Sequence, residues 1–153
     1  MIPLWFKVFI ISMLPISELR GSIPFGIANS MPLWHVWIIS IIGNMIPVPF
    51  ILLFLQPIEK FFRRWKIFDY VIDKIFDYTR RKTRKSIERW ETLSLILFVA
   101  IPLPVTGAWT GSLAAYLFGL DFKKSLICIF FGIILASFIV TIAIMEGIKL
   151  FGG

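Results

Sequence analysis

Hydrophobic positions fall in three blocks along the chain. Residues 1–57 and 92–153 are almost wholly apolar, and residues 58–91 between them are polar, basic and rich in aromatic side chains. Three long stretches within the apolar blocks contain no Lys, Arg, Asp or Glu. Because a helix needs about 20 mostly apolar residues to cross a bilayer, this pattern predicts an all-α polytopic membrane protein.

The first apolar block is predicted to form two short helices and one long helix. Residues 2–30 contain the two short helices, because Pro15 interrupts them and Ser22 can start the second one as its N-cap. Each would rise about 20 Å or less, which is too little for a hydrocarbon core of about 30 Å. Residues 33–55 are long enough to span, with a kink expected at Pro47 and Pro49.

The last apolar block repeats this order. Residues 93–119 are predicted to form two short helices on either side of the segment IPLPVTGAWTG (101–111). Thr106 or Gly107 starts the second of these helices. Residues 125–150 are then long enough to span.

The order of the elements therefore repeats in the two apolar blocks. Shifting the first block by 89 positions places Ser17 on Thr106 and Gly43 on Gly132. Identities are few, so the shared order of elements is the stronger indication. Two like halves joined by a polar segment are typical of membrane proteins built from inverted repeats.

The distribution of basic residues predicts the topology. Eleven of the sixteen Lys and Arg residues lie in 58–91, so this connector should be cytoplasmic. Lys123 and Lys124 should then be cytoplasmic too, which requires 93–119 to enter and leave from that side as a re-entrant hairpin. By the same logic, 2–30 is a hairpin from the outside and both termini lie outside. The alternative, one kinked span over 93–119, places the two lysines outside.

The connector itself has the spacing of an amphipathic helix. Asp69, Asp73 and Asp77 form one polar stripe, and the cluster RRKTRK (80–85) suits phosphate headgroups. A solvated cytoplasmic connector is the alternative. A nucleic-acid partner is not expected, because the flanking apolar blocks hold this segment at the membrane.

Composition excludes several other classes of protein. Hydrophobic residues make up 58% of the chain and charged residues 16%, whereas soluble domains have roughly 25% charged residues. The single cysteine, Cys128, excludes an internal disulfide and a cysteine-rich metal site. With one histidine, no P-loop and no nucleophile-base pair, we expect no enzyme activity, no catalytic or metal site and no cofactor.

The segment SELRGSIP (17–24) carries the candidate chemistry. A charge at mid-membrane costs roughly 2.5–3.5 kcal/mol, so Glu18 and Arg20 should be paired, hydrated or functional there. Two hairpin tips from opposite faces would meet near the midplane, where helix starts attract anions. We therefore expect Arg20, Gly21 and Ser22 to bind an anionic substrate and Glu18 to carry a coupling proton. The alternative is an exposed interfacial loop.

The second tip and the spans supply further candidates. Asn44 bonds either between helices or to substrate. Glu146 is a weak second candidate for proton coupling, and the alternative places it at the outer interface beside Lys149. Four residues of the second tip are expected to complete the substrate site: Thr106, Gly107, Trp109 and Thr110.

Two motifs carry a family resemblance. E-x-R-G-x-I-P (18–24) and P-x-P-x-T-G-A-W-T-G-S (102–112) resemble those of the small multidrug export proteins, a compact relative of the DedA / VTT-domain (SNARE-associated Golgi protein) membrane proteins. The resemblance covers nearly the whole chain. It implies two inverted repeats, each with a re-entrant hairpin and a span, and a transport-like role in the cytoplasmic (inner) membrane.

The wider family also implies a chemistry. DedA proteins are associated with proton-coupled translocation of undecaprenyl phosphate, VTT proteins with lipid scrambling, and both use acidic and arginine residues in the membrane. Glu18 and Arg20 match that chemistry, whereas VTGAWTG (105–111) departs from it by carrying no arginine.

The combined expectation is a proton-coupled transporter or flippase for an anionic lipid such as a polyprenyl phosphate. The alternatives are an exporter of small cationic drugs and a non-transporting assembly factor. Its partners would be membrane lipids with anionic headgroups. A homodimer is also expected, because two hairpins and two spans leave much surface to cover.

Overall fold

The computed structural model describes residues 2–62, 88–103 and 106–151. Every regular element in these ranges is an α-helix, which confirms the all-α prediction. The predicted amphipathic helix in the connector lies mostly outside the described residues. The described helices are α1 (Leu4–Met13), α2 (Glu18–Ala28), α3 (Leu33–Met45), α4 (Pro47–Phe62), α5 (Glu88–Ala100), α6 (Ala108–Phe118) and α7 (Phe122–Phe151).

Two helical stretches in the described ranges are long and apolar enough to cross a membrane: Leu33–Leu55 and Phe122–Leu150. The first consists of α3 and most of α4, separated at Ile46. Pro47 has no N–H to donate to the preceding turn, and the division between α3 and α4 falls directly before it. The bend at Pro47 and Pro49 stays a prediction, because Ile46 keeps helical dihedral angles.

The outward faces of these helices are apolar. Exposed side chains on α3 and α7 include Ile38, Ile42, Phe131, Leu135 and Ile142. Soluble monomers rarely expose continuous apolar surface on this scale. The described surface is therefore the kind that faces lipid.

The start of α2 differs from the prediction. The helix begins at Glu18 and not after Ser22, because the turn before it runs directly into the helix: the Glu18 N–H donates to Leu14 O at 3.0 Å and the Gly21 N–H to Ser17 O at 2.8 Å. Ser22 is therefore buried inside α2 and caps nothing. α5 and α7 also begin slightly earlier than predicted, whereas α6 begins after Gly107, as predicted.

Both short second helices end in the same turn, 89 positions apart. The Met31 N–H donates to Gly26 O at 3.1 Å, and the Leu120 N–H donates to Ala115 O at 3.0 Å. This hydrogen bond closes a Schellman turn, which needs a left-handed residue just before its last member. The two left-handed residues are Ser30 (φ 59°) and Gly119 (φ 73°).

The long helix of each half packs closely on the first short helix of that half. A Cβ on Gly43 would lie 2.8 Å from the backbone oxygen of Phe9 in α1, and a Cβ on Gly132 would lie 3.0 Å from that of Ile96 in α5. Gly43 and Gly132 are the pair that the shift of 89 positions brings together. The two halves thus share backbone contacts as well as the order of their helices.

We expect Gly43→Ala to destabilise the protein by roughly 1–3 kcal/mol, because the new methyl group overlaps the backbone of α1. Gly147→Ala is the matched control, since no atom lies within 4 Å of a Cβ at that helical glycine. It should be neutral or stabilise by up to about 1 kcal/mol. Thermal unfolding in detergent measures both, and equal midpoints for the two variants would contradict the close packing.

Candidate functional site

The two breaks between short helices meet, and Glu18 lies at their junction. The Ala108 N–H donates to Glu18 Oε2 and the Trp109 N–H donates to Glu18 Oε1, both at 3.3 Å. These N–H groups belong to the first turn of α6, where a helix has no partners of its own for them. Glu18 therefore caps a helix that begins 90 residues further along the chain.

Gly107 makes room for this cap. It is the N-cap residue of α6, with φ 154° and ψ −165°, and it offers no side chain to the helix. That backbone conformation is essentially restricted to glycine. A Cβ at Gly107 would overlap the Glu18 carboxylate. The glycine thus serves twice, by allowing the turn and by admitting a carboxylate from the other half.

Arg20 holds the loop in front of α6. Its Nη2 donates to the carbonyl oxygen of Thr106 and, at 3.2 Å, to Thr106 Oγ1. Thr106 in turn fixes the loop, since its Oγ1 accepts from the Leu103 N–H and its own N–H donates to Leu103 O, both at 3.0 Å. The guanidinium therefore binds a preorganised turn.

Trp109, in the second half, forms a hydrogen bond to the end of a helix in the first half. Its Nε1 donates to the backbone oxygen of Met13 at 3.1 Å. Met13 is the last residue of α1, and the final carbonyls of a helix lack partners within it. The first half thus caps the start of a helix in the second half, and the second half caps the end of a helix in the first.

Glu18 is buried and its backbone is strained. Its side chain is 7% exposed, and its φ of 42° lies in the left-handed region. Non-glycine residues seldom adopt this region, and such strain tends to occur at functional sites. The side chain of Asn44, on α3, faces the carboxylate. Two charged groups, a strained backbone and a helix start therefore coincide at one point.

A small cleft opens beside this junction. Its free volume is about 250 Å³ including the part open to the outside, but the enclosed space admits only about one water molecule. Its lining combines polar groups of α2 and α3 with apolar groups of α5 and α7. Its residues include Glu18, Arg20, Asn44, Gly107, Val99, Pro102, Ile133, Ala136 and Val140.

The structure brings most of the predicted site residues together. Glu18, Arg20 and Gly107 line the cleft, and Thr106 and Trp109 bond to the first tip. The remaining member of the second tip lies in the first turn of α6, where the Thr110 hydroxyl donates to a backbone oxygen at 3.5 Å. The two breaks between short helices thus lie against each other in the described residues, whereas their being hairpin tips from opposite faces stays a prediction.

Three predicted residues lie elsewhere. Gly21 packs against Ile11 of α1, and Ser22 is fully buried one turn beyond Glu18. The side chain of Glu146 is 58% exposed and accepts a hydrogen bond from Lys149 at 2.8 Å. None of these three predicted residues is among those that line the cleft.

Some lining residues carried little signal in the sequence. Ile133, Ala136 and Val140 share one face of α7, but their spacing is that of any apolar helix face. Asn44 was visible as a polar residue in a charge-free span. Its contact with Glu18 could not be derived from spacing alone.

The described helices, with their apolar outward faces and with a buried Glu18 and a half-buried Arg20 where helices begin, define an α-helical membrane protein. A family model described as "Putative small multi-drug export protein" matches residues 18–139, about four fifths of the chain. The chain belongs to that family. Comparisons with curated proteins and with solved structures find no match. The relationship to DedA and VTT-domain proteins stays a prediction.

Gly107→Ala should destabilise the protein more than Gly119→Ala does. Both glycines have positive φ, so each substitution introduces backbone strain of about 1–3 kcal/mol. Only the alanine at 107 also displaces the Glu18 carboxylate from α6, which adds the loss of a cap, about 0.5–2 kcal/mol. Thermal unfolding compares the two variants.

A second measurement isolates the overlap between the Cβ at position 107 and the Glu18 carboxylate. In a Glu18→Ala background no carboxylate is left to displace, so the extra cost of Gly107→Ala over Gly119→Ala should fall by about the cap contribution and leave only the difference in backbone strain. An extra cost that is unchanged in that background would show that Gly107 acts without Glu18.

Proposed function

We propose that this chain is a proton-coupled membrane transporter whose substrate is an anion, such as the phosphate headgroup of a polyprenyl lipid. The supporting observation is the Glu18 carboxylate bound to the N-terminus of α6 beside Arg20. A helix N-terminus and a guanidinium are the two groups that proteins use most readily for phosphate. Glu18 then occupies the position that a substrate anion would take.

The charges at the cleft offer a cation no excess negative charge. The helices α2 and α6 both begin there, and each N-terminus contributes about half a positive charge, but α1 and α5 end there and each C-terminus contributes about half a negative charge. Arg20 adds one positive charge and an ionised Glu18 subtracts one. The sum is close to zero while Glu18 is ionised and about one positive charge once a proton neutralises it, so the protonated state favours an anion.

Proton coupling follows from the competition between Glu18 and the substrate. An ionised Glu18 holds the two tips together through α6. A proton bound to Glu18 removes its charge and weakens that cap, so a substrate anion can take its place. Because the cleft admits only about one water molecule, the tips must separate before a headgroup can enter.

Export of small drugs is the second candidate, favoured by the description of the family to which the chain belongs. A drug cation would need the Glu18 carboxylate free of Arg20. The two candidates therefore differ in what they require of Arg20, which transport measurements on variants can decide.

We expect Glu18→Gln and Arg20→Ala each to reduce the flux of labelled polyprenyl phosphate in reconstituted vesicles by about tenfold or more. Tenfold corresponds to losing about 1.4 kcal/mol in the limiting step, and both variants remove a charge from the cleft. The parent flux should depend on an imposed pH difference. Asp121→Asn is the matched control, because that carboxylate is exposed and lies outside the cleft.

Unchanged flux in both variants would refute the site. Drug resistance of cells that needs Glu18 but tolerates Arg20→Ala would favour the second candidate. A parent protein that moves neither lipid nor drug, and that purifies with a stable partner, would indicate an assembly factor.

We also propose that the halves are inverted repeats whose short helices form re-entrant hairpins. The like turns and glycine contacts 89 positions apart support the repeat. The meeting of both breaks at one cleft is what two hairpins from opposite faces would produce. Non-helical backbone at membrane depth is tolerated when it is packed in protein in this way.

The hairpin topology predicts which side of the membrane labels introduced cysteines. In a Cys128→Ala background, Ile2→Cys and Ser30→Cys should both react with an impermeant thiol reagent from the outside, and Asp121→Cys from the cytoplasm. Reaction of positions 2 and 30 from opposite sides would instead indicate a single kinked span. Labelling in detergent, where all three positions are accessible, controls for reactivity.

A further inference from the structure

The interface between α2 and α3 has a fixed register. The two helices are joined by a short turn and run antiparallel. Gly26 contacts Val36 at one end of the interface, and Glu18 faces Asn44 at the other. Ser22 lies midway between Gly26 and Glu18 on α2, and Ser40 lies midway between Val36 and Asn44 on α3, four residues from each. The register therefore places Ser22 opposite Ser40, and we call this position the Ser22–Ser40 level.

Three buried polar atoms at this interface have no hydrogen-bond partner: Ser22 Oγ, Ser40 Oγ and Asn44 Oδ1. All three residues are at most 1% exposed. Burying such a group unpaired costs about 1–3 kcal/mol, and an ordered water is the usual explanation where native structures contain one.

The other buried hydroxyls on the described helices behave differently. Each donates to a backbone oxygen three or four residues earlier, at 2.7–3.0 Å. Ser22 and Ser40 make neither that bond nor a bond to each other, although the register places them opposite one another. A third group between the two hydroxyls would explain why they bond neither to their own helices nor to each other. The hydroxyls with an intrahelical partner are those of Ser12, Ser112, Ser125, Ser137 and Thr141.

The corresponding interface of the second half is apolar. The shift of 89 positions relates Ser40 to Ile129 and Ser22 to Gly111, and a Cβ on Gly111 would lie 3.9 Å from Ile129 Cγ1. The level that holds two serines in the first half thus holds a glycine against an isoleucine in the second. Packing of these helices does not itself require polar side chains.

We propose that the Ser22–Ser40 level binds water, and that this water, anchored by Asn44, forms the route by which a proton reaches Glu18. The route, unlike the water site, rests on the proposed function. Each oxygen along it releases one proton as it accepts another, and the last proton converts the Glu18 carboxylate to a neutral carboxylic acid.

Water suits the site better than a metal cation. The neighbouring cleft carries no excess negative charge, because Arg20 offsets Glu18 and the ends of α1 and α5 offset the starts of α2 and α6. A metal cation in this apolar setting would add an unbalanced charge, whereas water adds none and can both donate and accept.

Thermal unfolding of serine variants tests the water site without any transport assay. Ser22→Ala and Ser40→Ala should each lower the midpoint by roughly 2–4 °C, because each removes an anchor of the shared water. The double variant should lose about as much as one single variant, since the water is already gone. The matched control is Ser112→Ala, a buried serine with an intrahelical bond, whose effect should add to that of Ser40→Ala.

Other outcomes would overturn the water site. Unchanged or raised midpoints of the two single variants would mean that no water binds the hydroxyls, because removing an unpaired buried hydroxyl relieves its desolvation cost. If the double variant lowers the midpoint by the sum of the two single effects, the two serines do not share one bound water. A midpoint that rises in sodium chloride relative to choline chloride, in the parent but not in the variants, would identify a cation instead.

Transport measurements test the route. The double variant should move labelled polyprenyl phosphate about tenfold more slowly than the parent, with unchanged apparent affinity for the lipid, because proton delivery and not lipid binding is impaired. Parent-like flux in the double variant would overturn the route. A parent that moves no anionic lipid would refute the proposed function, and the unfolding data would still decide the water site.

Discussion

One carboxylate satisfies the start of a helix in the other half of the molecule, and the arrangement of the two tips depends on it. A helix that begins in apolar surroundings has N–H groups that neither lipid nor its own turns can satisfy. α6 begins at such a place after a glycine that offers no side chain, and Glu18 supplies the missing acceptor. Arg20 and Trp109 then fix the same junction from either side.

This arrangement couples stability to function. A cap of this kind contributes about 0.5–2 kcal/mol, and hydrogen bonds to a charged group contribute about 1.5–3 kcal/mol each. Those magnitudes hold two helix ends together yet are small enough for one bound proton and a competing anion to offset. If the proposed function is right, the contact that closes the protein is also the contact that its substrate replaces.

Sequence patterns predicted the order of helices and the breaks between them, because length and proline placement are local properties. They also placed the start of α6 at Thr106 or Gly107, and Gly107 is its N-cap in the structure. The predicted start of α2 was wrong. The prediction considered only that Ser22 is a good N-cap, whereas the hydrogen-bonded turn before Glu18 decides where the helix starts. The partner of Glu18 was not predictable from spacing, since the contact joins residues 90 positions apart.

The repeat itself contained more information than its few identities suggested. A shift of 89 positions relates Glu18 to Gly107, and these two residues touch in the structure. Residues related by a two-fold axis touch when they lie beside it, so this contact places the cleft where such an axis would run. The two halves are alike in the turns that end α2 and α6 and in the glycine contacts of α3 and α7. Their chemistry differs: one half contributes Glu18, Asn44 and two unpaired serines, and the other contributes glycines and isoleucines. A fold that is symmetric in its packing and asymmetric in its polar groups would open equivalent paths from two sides while delivering a proton from one of them.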